Sequence, residues 1–240
     1  SGNANGAWTV GTNAGSPGVP AGTIEVGLRA KLRFDNSNQP ANIFNSNGNG
    51  TYSFDAGTPP VGFGFAPGST STAIWNFEWS VNTGLGDDPG VLDDFIYEIG
   101  IDFDRSTGTN FLTFDPIIVS YADHALGDNT TGNGGGVVAS NPPSSQADDY
   151  NALIQSLSVA QNSWNMEFFD TATYTFDANL DGQYTFYLEV YDNGGGGLLA
   201  RSEIDVIVGT NIPVPEPSTY ALLLGGLALT FVALKRRMKK

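Results

Sequence analysis

Apolar and polar residues alternate with a period of two in several stretches of this chain, and that pattern limits it to a β-rich fold. Ile24, Val26, Leu28, Ala30, Leu32 and Phe34 fall on one side of an extended segment, with Glu25, Arg29, Lys31 and Arg33 on the other. Trp75, Phe77, Trp79 and Val81 alternate with Asn76, Glu78 and Ser80, and Phe95, Tyr97, Ile99, Ile101 and Phe103 alternate with Ile96, Glu98, Gly100 and Asp102. Tyr184, Phe186, Leu188 and Val190 share a face, a Gly-rich turn from Asp192 follows, and Ile204, Val206 and Val208 share the next face. That succession predicts a hairpin.

Shorter strands are expected at Thr51 to Phe54, Phe111 to Phe114, Ile117 to Ser120, Ser163 to Phe169 and Thr173 to Phe176. Helical spacing occurs at Tyr150, Leu153, Ile154 and Leu157, which predicts one short surface helix after Pro142-Pro143. The stretch from Gly127 to Gln146 is Gly-, Asn-, Ser- and Pro-rich and reads as a long loop. With 31 Gly and 13 Pro in 240 residues, the composition favours many turns between short strands. No βα alternation is present, so the expected fold is all-β. Its expected form is an antiparallel β-sandwich, jelly-roll or immunoglobulin-like, since two one-sided sheets bury their apolar faces against each other. Two local echoes, Asn45 to Phe54 with Asp177 to Phe186 and Trp75 to Trp79 with Trp164 to Phe168, occur in reversed order and suggest equivalent strands, not a tandem duplication.

The C-terminal end has a different character. Tyr220 to Leu234 is 15 residues without a charge, preceded by Pro217 and followed by Lys235, Arg236, Arg237, Lys239 and Lys240. As a helix it would span about 22 Å at ~1.5 Å per residue, short of a bilayer core of ~30 Å. The basic cluster nevertheless favours a membrane helix with a cytoplasmic C-terminus, because Lys and Arg are retained inside and can snorkel. Upstream lies Val214-Pro215-Glu216-Pro217-Ser218. A Pro-Glu-Pro motif, a short apolar helix and a basic tip together resemble the PEP-CTERM sorting signal of Gram-negative bacteria that make exopolysaccharide. That resemblance implies an exosortase as partner, with Pro215, Glu216 and Pro217 as substrate positions. It also implies a transient inner-membrane anchor and delivery to the cell surface or the extracellular space. The final hairpin of the body resembles the closing strands of immunoglobulin-like, cadherin-like and PKD-like bacterial surface modules.

The expected layout is therefore an irregular segment at 1–23, a β-sandwich at 24–209, a linker with the motif at 210–219, a transmembrane helix at 220–234 and a basic tail at 235–240. Family members start with a secretory signal peptide. Ser1-Gly2-Asn3-Ala4-Asn5-Gly6 has no basic start and no apolar run, so the numbering is expected to begin after its removal.

Charge narrows the partners. The chain has 25 acidic and 10 basic residues, and five of the basic ones lie in the terminal cluster, which leaves the rest at a net charge of −20. A duplex-binding role needs a Lys/Arg surface, so no nucleic acid partner is expected. The absence of Cys removes disulfides, thiolate metal ligands and thiol nucleophiles.

Four groups of residues are candidates for chemistry. Asp177-x-Asn179-x-Asp181-Gly182 fits the first half of a calcium loop, but Leu188 stands where such a loop places its bidentate Glu. Two readings stand: a calcium-stapled turn, and an Asx turn bonding its own backbone. The lone His124 has no Cys or Gly-x-Ser-x-Gly partner and reads as structural or solvated. The pairs Asp87-Asp88, Asp93-Asp94 and Asp148-Asp149 are the carboxylates a secreted carbohydrate-active hydrolase would need. Among the aromatics, Trp75, Phe77, Trp79, Trp164 and Tyr184 fall at core phase, whereas Tyr187, Tyr191 and Trp8 are expected to be exposed and able to stack on sugars. The functional expectation is a non-enzymatic surface or matrix protein, structural, adhesive or associated with exopolysaccharide in biofilm. The alternative is the carboxylate-pair hydrolase.

Overall fold

The computed structural model describes residues 8–16, 18–34, 40–59, 69–86, 90–118, 124–132, 136–138, 147–194 and 196–209. The expected linker, membrane helix and basic tail lie outside the described residues. Thirteen strands and one α-helix are present among those described. The strands are β1 (Thr9–Thr12), β2 (Glu25–Phe34), β3 (Pro40–Ile43), β4 (Ser46–Gly48), β5 (Thr51–Phe54), β6 (Trp75–Asn82), β7 (Phe95–Asp102), β8 (Phe111–Phe114), β9 (Ala125–Gly127), β10 (Val137–Val138), β11 (Val159–Trp164), β12 (Gly182–Asp192) and β13 (Leu198–Val208), and the helix is α1 (Ala147–Ile154).

They form two sheets. The first runs β1-β2-β6-β11-β9-β10, with β3 also paired to β2, and the second runs β4-β5-β13-β12-β7-β8. All pairings are antiparallel except β5 with β13, which is parallel over Thr51–Phe54 and Asp205–Val208. The expected all-antiparallel sandwich is thus corrected to a mixed one. The parallel pair arises because β5 and β13 are distant in sequence and meet after the chain has crossed between the sheets several times, so no tight hairpin dictates their direction.

Alternation determines which face is buried. Val26, Leu28 and Ala30 of β2 lie in register with Val81, Trp79 and Phe77 of β6, and all six are solvent-inaccessible. Opposite them, the second sheet contributes Tyr97, Ile99 and Ile101 of β7, Tyr184, Phe186, Leu188 and Val190 of β12, and Ile204, Val206 and Val208 of β13. Phe77 stacks on Phe186 at 4.5 Å between centroids, and Trp75 meets Phe54, Phe176, Tyr184 and Phe186 at 6.0 to 6.2 Å. The sheets therefore pack face to face through aromatic contacts, and the five aromatics expected in the core are all there.

The outward face of the first sheet is also partly shielded. Arg29 and Lys31 both pair with Glu78, and all three side chains are largely buried. The Arg29 guanidinium is held between the Trp8 and Phe44 rings, at 4.1 and 4.3 Å from their centroids. Trp8 in turn lies against Gly27, where the absence of a Cβ lets the indole approach the strand. This clasp fixes the start of β1, which falls in the segment expected to be irregular.

Several short-strand expectations fail because side chains capture the backbone donors that a ladder would use. Ile117 and Ile118 form a turn after Pro116, with the Ile117 N–H donated to Asp115 Oδ1; Val119 and Ser120 lie outside the described residues. The strand expected at Ser163 to Phe169 ends at Trp164 and gives way to a 3-10 turn over Met166–Phe169. Thr173 to Phe176 is not a strand, because Thr171 and Asp170 accept the N–H groups of Tyr174 and Phe176. The Gly127 to Gln146 stretch is not all loop, since Val137–Val138 pairs with Ala125–Leu126. Helix α1 forms as expected, and it is docked through buried Tyr150 and Ile154, with Tyr150 Oη donating to Ile117 O at 2.8 Å.

Asn165 illustrates how a buried amide terminates a strand. Its Oδ1 accepts from Ala73 N at 3.0 Å and Glu167 N at 3.3 Å, and its Nδ2 donates to Ala73 O, Trp75 O and Asn76 Oδ1 at 2.9 to 3.0 Å. Replacing Asn165 with Ala strands several buried backbone groups, each worth about 1–3 kcal/mol when left unpaired. The variant is expected to lose at least about 3 kcal/mol in urea unfolding; a loss below about 1 kcal/mol would show that water replaces the amide.

Candidate functional site

Strand β12 carries the core to both ends of the sandwich, and a cavity opens at each end. At its start, Gly182 pairs with Val208, and the Asp177–Leu180 segment lies beside the β7–β8 connection. Here a cavity of about 420 Å³ is lined by Phe103, Asp104, Arg105, Asn110, Thr175, Phe176, Asp177, Leu180 and Tyr184. At the other end a smaller one, about 270 Å³, is lined among others by Thr23, Thr83, Asp94, Phe95 and Asp192. The larger has the size and the mixture of apolar walls and convergent polar groups of a ligand site.

Two self-bonded loops shape it. Between β7 and β8, Asp102 Oδ1 accepts from Asp104 N, Asp104 Oδ1 from Ser106 N and Ser106 Oγ from Gly108 N, each at 2.9 to 3.0 Å. This run of side-chain turns folds the loop back so that Asn110 N also reaches Asp102 Oδ1 at 2.7 Å. Burial pushes the Asp102 carboxyl up, while the backbone N–H groups of Asn110, Asp104 and Thr185 oppose the shift. Hydrogen bonds from Ser106 hold Asp104 below the usual carboxylate range, so it is ionised at neutral pH.

Across the cavity, Asp177 Oδ1 accepts from Asn179 N at 2.9 Å and from Asn179 Nδ2 at 3.1 Å. The aromatic wall consists of Phe103, Phe176 and Tyr184, with Phe176 and Tyr184 5.3 Å apart. Tyr184 is 2% exposed, and its hydroxyl makes no hydrogen bond among the described residues. Burial, aided by Asp102 and Asp177 and opposed by Arg105, pushes it up to about 12, so it stays protonated.

Of the two readings of this segment, the bonds present are those of the Asx turn. The backbone N–H of Asn179 closes the Asx turn on Asp177 Oδ1 and its side-chain amide nitrogen adds a second bond there, and among the described residues no group of three or more His, Cys, Asp or Glu gathers at one point. Asp181 lies by the chain's exit at Gly209 and does not line the cavity.

The aromatics expected to be exposed are engaged elsewhere. Tyr187 is only 8% exposed: its ring lies over Gly100, where a Cβ would overlap it, beneath the Arg201 guanidinium at 4.6 Å and against the edge of Phe111. Its hydroxyl donates to Glu98 at 2.6 Å. Tyr191 is half-buried and donates to Glu189 at 2.5 Å, a bond that raises it to about 12. Trp8 is half-buried beneath Arg29. Burial arises here because a glycine on the neighbouring strand leaves space that a large ring fills.

The expected acidic pairs do not meet in the larger cavity. Asp93 and Asp94 sit on the 3-10 turn before β7, with Asp94 in the smaller cavity, and Asp149 lies exposed on α1. Asp87 and Asp88 lie outside the described residues. His124 is fully buried, with Nε2 bonded to Pro116 O and Nδ1 to the Asn162 amide, and its ring packs on Trp79. Asp104, Arg105 and Asn110 were missed as a set; the signal was the Asp102-x-Asp104-x-Ser106-x-Gly108 spacing, which predicts successive side-chain turns.

This is a two-sheet β protein with an aromatic-walled polar cavity at the end where β13 leaves the body. Residues 213–237 match the family model described as the PEP-CTERM protein-sorting motif. The chain therefore carries the signal that its Pro215-Glu216-Pro217 stretch resembled, one that marks a protein for sorting by exosortase to the cell surface. No curated protein matches the chain at a significant level. Among the described residues no helix is long and apolar enough to cross a membrane.

Because the Asp177 turn bonds itself, a chelator is expected to leave the thermal unfolding midpoint unchanged. A fall of several degrees that added Ca²⁺ restores would establish the calcium-stapled turn instead.

Proposed function

We propose that this exported protein is a non-catalytic polysaccharide-binding component of the cell surface or extracellular matrix. In this reading an immunoglobulin-like or jelly-roll body engages extracellular polysaccharide through the Phe103–Tyr184 cavity. The observation that carries it is that cavity itself: apolar ring surface beside two carboxylates, a guanidinium, an amide and an unbonded hydroxyl, the combination that a ring with many hydroxyls can satisfy. Sorting to the surface supports it by bringing the cavity to where such polymers lie.

Binding without turnover is favoured over glycoside hydrolysis by the state of the carboxylates. Hydrolysis needs one carboxyl held protonated as general acid beside an ionised partner. Asp104 is pulled the opposite way, and both Asp104 and Asp177 are tied to their own loops. During export the apolar stretch from Tyr220 to Leu234 serves as a transient inner-membrane anchor with a cytoplasmic tip, and exosortase then cleaves near Pro215-Glu216-Pro217. Release leaves the body in the matrix, where its role is adhesive or structural.

Two measurements test this. Immobilised native exopolysaccharide is expected to retain the wild-type protein, and Phe176→Ala is expected to weaken retention at least about tenfold; equal retention of both would reject the cavity as the binding surface. Intact mass of the secreted protein is expected to show loss of Lys235 to Lys240 with the apolar stretch, and a full-length mass would reject processing.

A further inference from the structure

Cations are scarce in the body of the protein, and most of those with visible partners are bound to carboxylates. Arg29 and Lys31 share Glu78, and Arg201 joins Glu189 and Glu203. Arg105 differs: among the described residues it forms no ion pair, although it sits on the rim of a cavity with two carboxylates. Its guanidinium lies near the Tyr184 hydroxyl, whose ionisation it favours.

The hydrogen-bonding capacity around the cavity is uneven. The acceptors Asp104 and Asp177 already take N–H groups from their own loops. The donors are unused, since the Arg105 guanidinium, the Tyr184 hydroxyl and the Asn110 carboxamide donate to no other described residue. The Tyr184 ring is buried and only its hydroxyl end reaches the open cavity, so that donor is free to bond a group that enters there. A group facing this cavity would therefore be rich in acceptors, and one that matches a planar guanidinium with two parallel N–H bonds is a carboxylate.

Resting on the polysaccharide reading above, we propose that the unit seated in this cavity is a uronic acid residue whose carboxylate pairs with Arg105. Its ring packs on Phe176 and Phe103. Tyr184 and Asn110 donate to its oxygens, and its hydroxyls donate to the free oxygens of Asp104 and Asp177. The two aspartates also exclude a second anionic group, which limits the site to one carboxylate per sugar. The net charge of −20 outside the terminal cluster opposes acidic polymers at long range, but at physiological salt that field decays over about 8 Å, whereas a contact at hydrogen-bond distance is screened less.

The test is calorimetric titration of the full secreted protein with a galacturonic acid trimer, its methyl ester, which keeps the shape and loses the charge, and a glucosamine trimer. The acid is expected to bind at least tenfold tighter than the ester and tighter than the amine. Arg105→Leu should abolish the difference between acid and ester, and Arg105→Lys should keep part of it. Tyr184→Phe should weaken the acid several-fold with an unchanged melting temperature, since no hydrogen bond within the protein is lost. Equal binding of acid and ester, tighter binding of the amine, or failure of all three trimers would overturn the proposal. If the native polysaccharide is still retained in any of those cases, the uronate class alone is wrong; if it too is not retained, the polysaccharide reading falls with it.

Discussion

The stacking of Phe77 on Phe186 with Trp75 wedged beside them is the contact that holds the two sheets in one register. Both phenylalanines are completely buried, and Trp75 is 1% exposed. Because side chains alternate along a strand, fixing Phe186 inward also fixes Tyr184 and Leu188 inward and Tyr187 outward. A slip of one residue in β12 would reverse every one of these. The row of rings that begins in the core therefore ends at Tyr184, where the sandwich opens and the core wall becomes the cavity wall. No separate device builds the apolar half of the candidate site.

Its polar half follows from how an acid-rich chain uses its carboxylates. In several loops they replace backbone acceptors: Asp102, Asp104, Asp115, Asp128, Asp177 and Asp192 each accept an N–H two residues ahead. Such turns need no partner element, so the connections can be short and irregular while their backbone donors are satisfied. On the outer sheet faces other acids, glutamates, meet the few cations and the tyrosine hydroxyls, as Glu78 does with Arg29 and Lys31 and Glu189 with Arg201 and Tyr191. Arg105 lies outside both patterns, which makes it the informative residue of the cavity.

The long strands were legible because their alternation is uninterrupted: β2, β6, β7, β12 and β13 lie where the pattern places them, and each of the two sequence echoes joins strands of one sheet. Short strands were less legible. At Thr173 to Phe176 the apolar rhythm is present, but Thr171 and Asp170 claim the donors, and periodicity alone does not report that competition. The exposure of Tyr187 was misjudged for a different reason. Outward phase says which face a ring is on, not that Gly100 on the next strand leaves a trough for it. Half of the cavity could be read from the Asp177 loop. The other half required knowing that the β7–β8 connection meets that loop in space, a contact between residues more than 60 positions apart.

The position of the cavity relative to the sorting signal follows from the same topology. Strand β13 ends at Val208, paired with Gly182 and with Phe54, and Gly209 donates to Phe54 O as the described chain stops. The exit thus adjoins the Asp177–Gly182 segment that lines the larger cavity. Five residues lie between Gly209 and Pro215, and the six steps span at most about 22 Å. Strand β12 alone, 11 residues at ~3.3 Å each, is longer than that, and it separates this end from the hairpin turn and the smaller cavity. Chain length therefore tethers the Pro-Glu-Pro motif to the end of the sandwich that holds the larger cavity.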